Sequence, residues 1–308
     1  MRFFTRTRTG RVVLQLALPV FLLWLWWVTS ENSTSYAYPP LSDVLEQLRE
    51  DWMFDQVPTD LVPSLARFSA GYAIAVVAGV AGGLVLGLMP RVQRAAQPVT
   101  EFLRAIPPPL LLPFVIVTLG IGNGAKVAVI ALGSVWVILL NAVDGVRSVD
   151  PVLLDTAASF QLSRRRTIWR VVLPAASPQI AVGMRTGLAV GLIMMIISEM
   201  QGSTNGLGYQ VLAAQRSFDT ASMFAGIIVI GLVGLLVNLG FVLAEKRIMR
   251  WYRGARGLLD ENEAARPTAR RRAAERRTAN AAATRDTPSR VAPVHSHLRP
   301  TRIRHQEA

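Results

Sequence analysis

Residues 62–89 read VPSLARFSAGYAIAVVAGVAGGLVLGLM, a run in which Arg67 is the one charged side chain. About 20 predominantly apolar residues carry a helix across the ~30 Å hydrocarbon core of a bilayer, whereas strands of a membrane barrel alternate polar and apolar positions. This run does not alternate, so it reads as a spanning helix. Small residues stand at every fourth position, Gly71, Ala75, Gly79, Gly83 and Gly87. In lipid little hydrophobic drive joins one helix to another, and such stripes supply contact by letting backbones approach closely.

Five more apolar blocks lie outward from this one, at 12–28, 105–122, 127–143, 179–200 and 223–244. The expected fold is an all-α membrane protein of six transmembrane helices. The block at 179–200 repeats the small-residue stripe with Gly183, Gly187 and Gly191. Composition agrees: 51% of the 308 residues are hydrophobic and 17% charged, against roughly 25% charged in an ordinary soluble domain. The first block follows Arg2, Arg6, Arg8 and Arg11 as a signal peptide would, but its 17 apolar residues exceed the roughly 7–15 of a signal core. Trp24, Trp26 and Trp27 suit an interfacial anchor. An uncleaved helix over 12–28 is expected.

The net charge of +13 is uneven, because residues 246–308 hold 16 Lys/Arg and 6 Asp/Glu. The basic pI is thus a property of a tail, and no nucleic-acid partner is expected. That tail, 254–308, is too polar to bury surface that would offset its ordering entropy, so disorder is expected there, with attraction to anionic lipid. Cysteine is absent, and the histidines, His295, His297 and His305, all fall in the tail. No catalytic set, cofactor or metal site is expected. Gly120-Ile-Gly-Asn-Gly-Ala-Lys126 lacks the glycine–lysine adjacency and the following Ser/Thr of a phosphate loop.

Basic residues orient the blocks. The flanks 1–11, 90–104, 144–178 and 245–256 contain 17 Lys/Arg; the alternate flanks 29–61, 120–126 and 201–222 contain 3. A multi-pass protein of the plasma (inner) membrane with both termini cytoplasmic is expected. In the extracytoplasmic segment 29–61, Leu41, Val44, Leu45 and Leu48 recur at helical spacing after Ser42, a candidate N-cap, predicting an amphipathic helix over 40–52 on the outer surface.

Pro107, Pro108, Pro109 and Pro113 crowd the third block. Each removes a backbone donor, so a break is expected near the cytoplasmic end, either as a bend lining the pathway or as an extended entry segment. Ionisable groups inside the blocks are Arg67, Arg185 and Glu199. The two arginines lie within two turns of predicted helix ends and are expected to snorkel. Glu199 is a candidate for a water-filled path or for the interface, and Asn141 for an interhelical hydrogen bond. A stand-alone channel or secondary carrier would need charged pairs at mid-depth, and the blocks show none.

Between the fourth and fifth blocks runs DPVLLDTAASFQLSRRRTIWRVVLP, residues 150–174. Asp150 can cap a helix with Pro151 at its first position, and Ser163 can cap a second helix ending before Pro174. Leu153, Leu154, Phe160, Ile168, Trp169 and Val172 need something to pack against.

This loop resembles the EAA loop of ABC-importer permeases, E-A-A-x3-G-x9-I-x-L-P, with every spacing retained. Asp155, Thr156 and Ala157 stand at the first three positions, Gln161 at the glycine, Val171 at the isoleucine, and Leu173-Pro174 at the end. Phe102-Leu-Arg-Ala-Ile-Pro-Pro, Gly145-Val-Arg-Ser-Val-Asp-Pro and Gly206-Leu-Gly-Tyr are similar to the nitrate, taurine and alkanesulfonate branch. The resemblance implies a type I importer permease with a MetI-like bundle over 62–253. It implies a cytoplasmic coupling helix within 144–178 that docks on an ABC ATPase dimer carrying the nucleotide site. It also implies an extracytoplasmic substrate-binding protein and a second permease subunit, in a homodimer or with a sister chain. The implied solute is nitrate, a sulfonate or taurine-like, with a vitamin precursor the alternative. The departure at Gln161 matters: a side chain at a position requiring positive φ costs about 1 kcal/mol or more, so either the bend or the partner's groove is expected to differ.

Overall fold

The computed structural model describes residues 8–249 apart from 32, 34, 36 and 53–55, with side chains in the first helix from Ala17 onward. The tail expected to be disordered, 254–308, and residues 1–7 of the N-terminal flank lie outside the described residues. Among those described, all regular structure is helical.

The chain opens with α1 (Arg8–Ser30) and the short α2 (Leu41–Trp52). Ser42 is not the cap of α2. The helix begins one residue earlier, where the Leu41 N–H donates to Ser30 Oγ at 3.1 Å. Leu41 and Val44 are buried against the bundle rather than laid on a surface.

The run at 62–89 becomes α3 (Val62–Leu88), entered through a π-helical turn at Val57–Leu61. Pro63 explains the turn: a proline has no N–H and its ring crowds the carbonyl four residues back, and the wider i→i+5 register, with the Val62 N–H donating to Val57 O, relieves that crowding.

The third block departs from expectation. The flank expected over 90–104 is itself a helix, α4 (Pro90–Ala105), which ends where the apolar block was expected to begin. After Ile106 and Pro107, a 3₁₀ turn at Pro108–Leu110 leads into α5 (Leu111–Leu119). The twelve residues from Pro108 to Leu119 reach about 18 Å, too short for a bilayer. Together with α4 they have the apolarity of one span bent by 81°. Pro107 makes the break; Pro113 sits in the first turn of α5, where no N–H is needed, and breaks nothing.

Next come α6 (Asn123–Arg147), α7 (Pro151–Ser159), α8 (Arg164–Thr167), α9 (Leu173–Met200), α10 (Leu207–Arg216) and α11 (Thr220–Ile248). Four stretches, Val57–Leu88, Asn123–Arg147, Arg164–Met200 and Thr220–Ile248, are long and apolar enough to span singly, and the bent pair makes a fifth. The sixth expected span is α1, of which the apolar stretch Ala17–Ser30 is described in full.

Helix α6 is the axis of the bundle. A Cβ built on Gly71, Gly79, Gly83 or Gly87 of α3 would fall no more than 2.8 Å from Ile130, Ile138, Ala142 or Val146. On an adjoining face, which shares Ile138, a Cβ on Gly183, Gly187 or Gly191 of α9 would come equally close to Asn141, Ile138 or Ser134. The order of these contacts makes α3 parallel and α9 antiparallel to α6. Two ends follow: a loop end, where α6 runs into α7, and a far end, where α9 runs into α10. The larger apolar core includes Phe68, Ile130, Met194, Leu207 and Val229, and a smaller one of Ala142, Val146, Val149, Val172, Ala176 and Ile180 lies at the loop end.

Candidate functional site

At the loop end, local chemistry builds a projecting helix. The Val152 N–H donates to Asp150 Oδ1 at 2.9 Å with Pro151 at the first helical position, as the sequence predicts. The helix stops in a Schellman motif: the Gln161 N–H donates to Ala158 O at 2.8 Å and the Leu162 N–H to Ala157 O at 3.0 Å. That motif requires a left-handed residue and usually takes glycine. Gln161 supplies it at φ 54°. The bend is kept, at a conformational cost of about 1–2 kcal/mol.

Ala157 is the buried member of α7, small enough to let the helix rest on its own root, while Asp155, Thr156 and Gln161 are exposed. The second helix does not end before Pro174. It continues through a π-helical turn at Ile168–Val172 into α9, the same device as at Pro63, with the Leu173 N–H donating to Ile168 O. Val171, Leu173 and Pro174 are half-buried there, and Val172 is packed into the smaller core. Ser163 holds the cap position of α8 but its hydroxyl makes no capping bond. What the loop turns outward is apolar and basic: Phe160 is 76% and Trp169 64% exposed, beside exposed Arg164, Arg165, Arg166 and Arg170.

The far end holds a second arrangement that the sequence reading missed. Arg67, expected to snorkel, is 6% exposed, and its Nη1 lies 2.8 Å from Oε1 of a fully buried Glu199. Its other donors reach Asn123 Oδ1 at 2.8 Å, Asn205 O at 3.2 Å and Asn205 Oδ1. Glu199 also accepts from Ser64 Oγ at 2.7 Å and from the Gly208 N–H at 3.1 Å. Asp60 accepts the Gly206 N–H at 2.6 Å and Gln210 Nε2 at 2.9 Å, and Ser64 Oγ accepts the Leu207 N–H at 3.0 Å. These backbone donors open α10. With glycine at its N-cap the helix has no cap of its own, so carboxylates from 60 and 199 satisfy its first N–H groups and meet the positive end of its dipole.

Arg67 and Glu199 neutralise each other, Asp60 is held by two N–H donors, and each of these groups is bonded, which is the condition for burying an ion pair without a large penalty. Lys126, counted as a solvent-facing flank residue, is likewise buried and donates to Ser203 Oγ at 2.6 Å. Glu199 is thus part of a sealed joint. Opposite charges at the matching ends of two blocks were the signal available, since buried intramembrane charges pair.

Asn141 links helices: its Nδ2 donates to Val137 O at 2.8 Å and its Oδ1 accepts from Gln179 Nε2 at 2.9 Å. Pro107 stands at the break between α4 and α5, and Pro113 is exposed on α5. The seven loop residues share one end of the bundle; Glu199 lies at the other.

Residues 70–250 match the family described as binding-protein-dependent transport system inner membrane component. The chain is 32% identical over 249 residues to the taurine transport system permease protein TauC of Escherichia coli, covering 79% of this chain and 90% of that one. It is 30% identical over 188 residues to the putative aliphatic sulfonates transport permease protein SsuC of Bacillus subtilis, covering 61% and 68%. A chain of the MetNI methionine ABC transporter, solved in inward-facing conformations, has a similar fold with a TM-score of 0.55 at 20% identity, over 65% of this chain and 97% of that one.

Proposed function

The chain belongs to the family of binding-protein-dependent transport system inner membrane components, and from that premise we propose how its two ends divide the work. It is a multi-pass membrane permease subunit of an ABC importer. The loop end faces the cytoplasm together with both termini, and α7 is the element that an ABC ATPase dimer grips. Asp155 and Thr156 meet the ATPase, Gln161 turns the chain, and Val171, Leu173 and Pro174 fix the root to α9. ATP is hydrolysed on that separate subunit. The far end receives a substrate-binding protein, and a second permease subunit, an identical copy, completes the pathway. The solute is a small oxyanion or sulfonate, as the names of the relatives suggest.

The observation that carries this reading is the shape of residues 150–174: a capped helix ending in a left-handed turn, rooted in the core and presenting Phe160 and Trp169 to solvent. Aromatic side chains so exposed beside arginines fit a protein partner. In proteoliposomes containing the permease, its cognate ATPase and binding protein, loaded binding protein should stimulate ATP hydrolysis. Phe160→Ala and Asp155→Lys should each weaken copurification of the ATPase. If the ATPase assembles equally well without residues 155–161, the docking role is wrong.

A further inference from the structure

Among the described residues two that are not glycine hold a left-handed backbone, Gln161 at the loop end and Phe218 at the far end. Phe218, at φ 60°, closes α10. Its N–H donates to Gln215 O at 3.2 Å and the Asp219 N–H donates to Ala214 O at 3.0 Å. That is the bonding of a Schellman motif, whose left-handed position favours glycine. A bulky aromatic residue is strained there, and residues held in such conformations cluster at binding and switch sites. Packing does not repay the strain: the ring is 79% exposed, and Gln215, Arg216, Ser217 and Asp219 around it are exposed and polar. A lipid anchor is a poor account as well. Trp24 and Trp27 lie within a continuous apolar stretch of α1, whereas Phe218 stands alone among polar side chains on a turn.

Beside this turn, Ser217 and Asp219 line a cleft of about 350 Å³ together with Asp51 and Trp52 of α2 and Gln210 of α10. Two carboxylates thus share one polar recess. Asp51 accepts from Gln47 Nε2 at 2.8 Å, and Asp219 from the Ser222 N–H at 3.1 Å and the Ser222 hydroxyl at 2.7 Å. Neither has a cation: among the described residues the ion pair is Arg67–Glu199. Arg216 lines a separate cleft with Ser203 and Tyr209. The exposed side of α2 continues the negative charge, with Asp43, Glu46 and Glu50 against Arg49.

We infer that the turn between α10 and α11 anchors the extracytoplasmic binding protein. Phe218 enters an apolar seat on that protein, and a lysine or arginine beside the seat enters the cleft between Asp51 and Asp219. An exposed aromatic ring with polar groups around it has the make-up of an interface hot spot, and a negative recess steers a basic partner. A second copy of the permease is a poorer occupant, because seams between permanently associated chains are apolar and depleted of charge. This rests on the reading of the far end as the extracytoplasmic side, and adds to it the anchoring residue and the sign of the partner's charge.

The test uses permease, ATPase and binding protein reconstituted in proteoliposomes, and reads the concentration of loaded binding protein that half-maximally stimulates ATP hydrolysis. Phe218→Gly removes the ring and suits the backbone. The variant should melt no lower than the unaltered permease, while its half-maximal concentration rises at least about tenfold, the scale of one lost hot-spot side chain. Phe218→Trp should stay near the unaltered value. Asp51→Asn with Asp219→Asn keeps the acceptors that Gln47 and Ser222 use. It should weaken stimulation most at low salt and flatten its dependence on ionic strength. If Phe218→Gly is stimulated like the unaltered complex, the ring serves lipid or the fold, and the docking site is overturned while the importer reading stands. An unchanged salt dependence in the double variant overturns it equally. Loss of permease–permease cross-linking in Phe218→Gly would assign the ring to a second copy, again against the proposal. Failure of the unaltered complex to respond to loaded binding protein would instead remove the importer reading, and the docking site with it.

Discussion

Glu199 shows how one side chain can hold an end of a membrane bundle. Its carboxylate is fully buried and joins α3, through Ser64 and Arg67, to the start of α10, through the Gly208 N–H. Removing one partner of a buried pair leaves the other charged and unsolvated, which costs about 3–5 kcal/mol. Glu199→Ala should therefore lower the melting temperature of the purified permease sharply, and Arg67→Met with Glu199→Met should recover much of the loss, since no lone charge remains. A double variant no more stable than Glu199→Ala would show that the pair is not the source. Gly206 belongs to the same joint. At φ 121° and with a built Cβ 2.6 Å from Glu199 Cδ, Gly206→Ala faces both backbone strain and a clash, and should expose the clamp to solvent. Gln161 is the opposite case, an exposed residue held in a left-handed conformation. Gln161→Gly should stabilise the loop by about 1 kcal/mol, read as slower hydrogen exchange at the Leu162 N–H. The resemblance to a glycine-bearing motif made that strain legible in the sequence. The clamp was not, because the partners that define it, Arg67 with Glu199, Ser64 with Glu199 and Asp60 with Gly206, lie 132, 135 and 146 residues apart.

At the scale of elements, glycine stripes and proline positions govern how helices meet and where they bend. Both stripes close on α6, so Gly83→Leu and Gly183→Leu should each disrupt the bundle, since the added side chains would overlap Ala142 and Asn141. An exposed glycine such as Gly231, with open space around it, is the control, and Gly231→Leu should leave the melting temperature nearly unchanged. The stripes were plain from spacing alone; their common target was not, because α6 carries no stripe of its own. The sequence reading expected a break among the third block's prolines and a helix end before Pro174, and it made nothing of Pro63. Pro63 and Pro174 sit just after π-helical turns that let two spans continue unbroken, while Pro107 ends one helix and turns the chain by 81°. What separates the cases is whether neighbouring helices can hold the wider turn in line, which is a matter of packing.

For the whole molecule, the charge asymmetry predicts topology. Moving the three arginines of α4 out of the flank count leaves the excess at the loop end intact. The chain has no cysteine, so single cysteines can be placed on an unaltered background: Ser159→Cys on α7 should react with an impermeant thiol reagent from the cytoplasmic side, and Gln215→Cys on α10 from the opposite side. Labelling of both from one side would contradict the assigned orientation. Local regularities settled much of this protein without any coordinates. Apolar runs near 20 residues mark the spans, Asp150-Pro151 starts the loop helix, and the spacing from Asp155 to Pro174 marks the loop itself, because hydropathy and capping act within a few turns of one chain segment. The burial of Arg67 beside Glu199, the capping of α10 by distant carboxylates and the break between α4 and α5 were decided only by tertiary structure. An intramembrane charge is tolerated according to what stands opposite it, and that neighbour comes from a remote part of the chain.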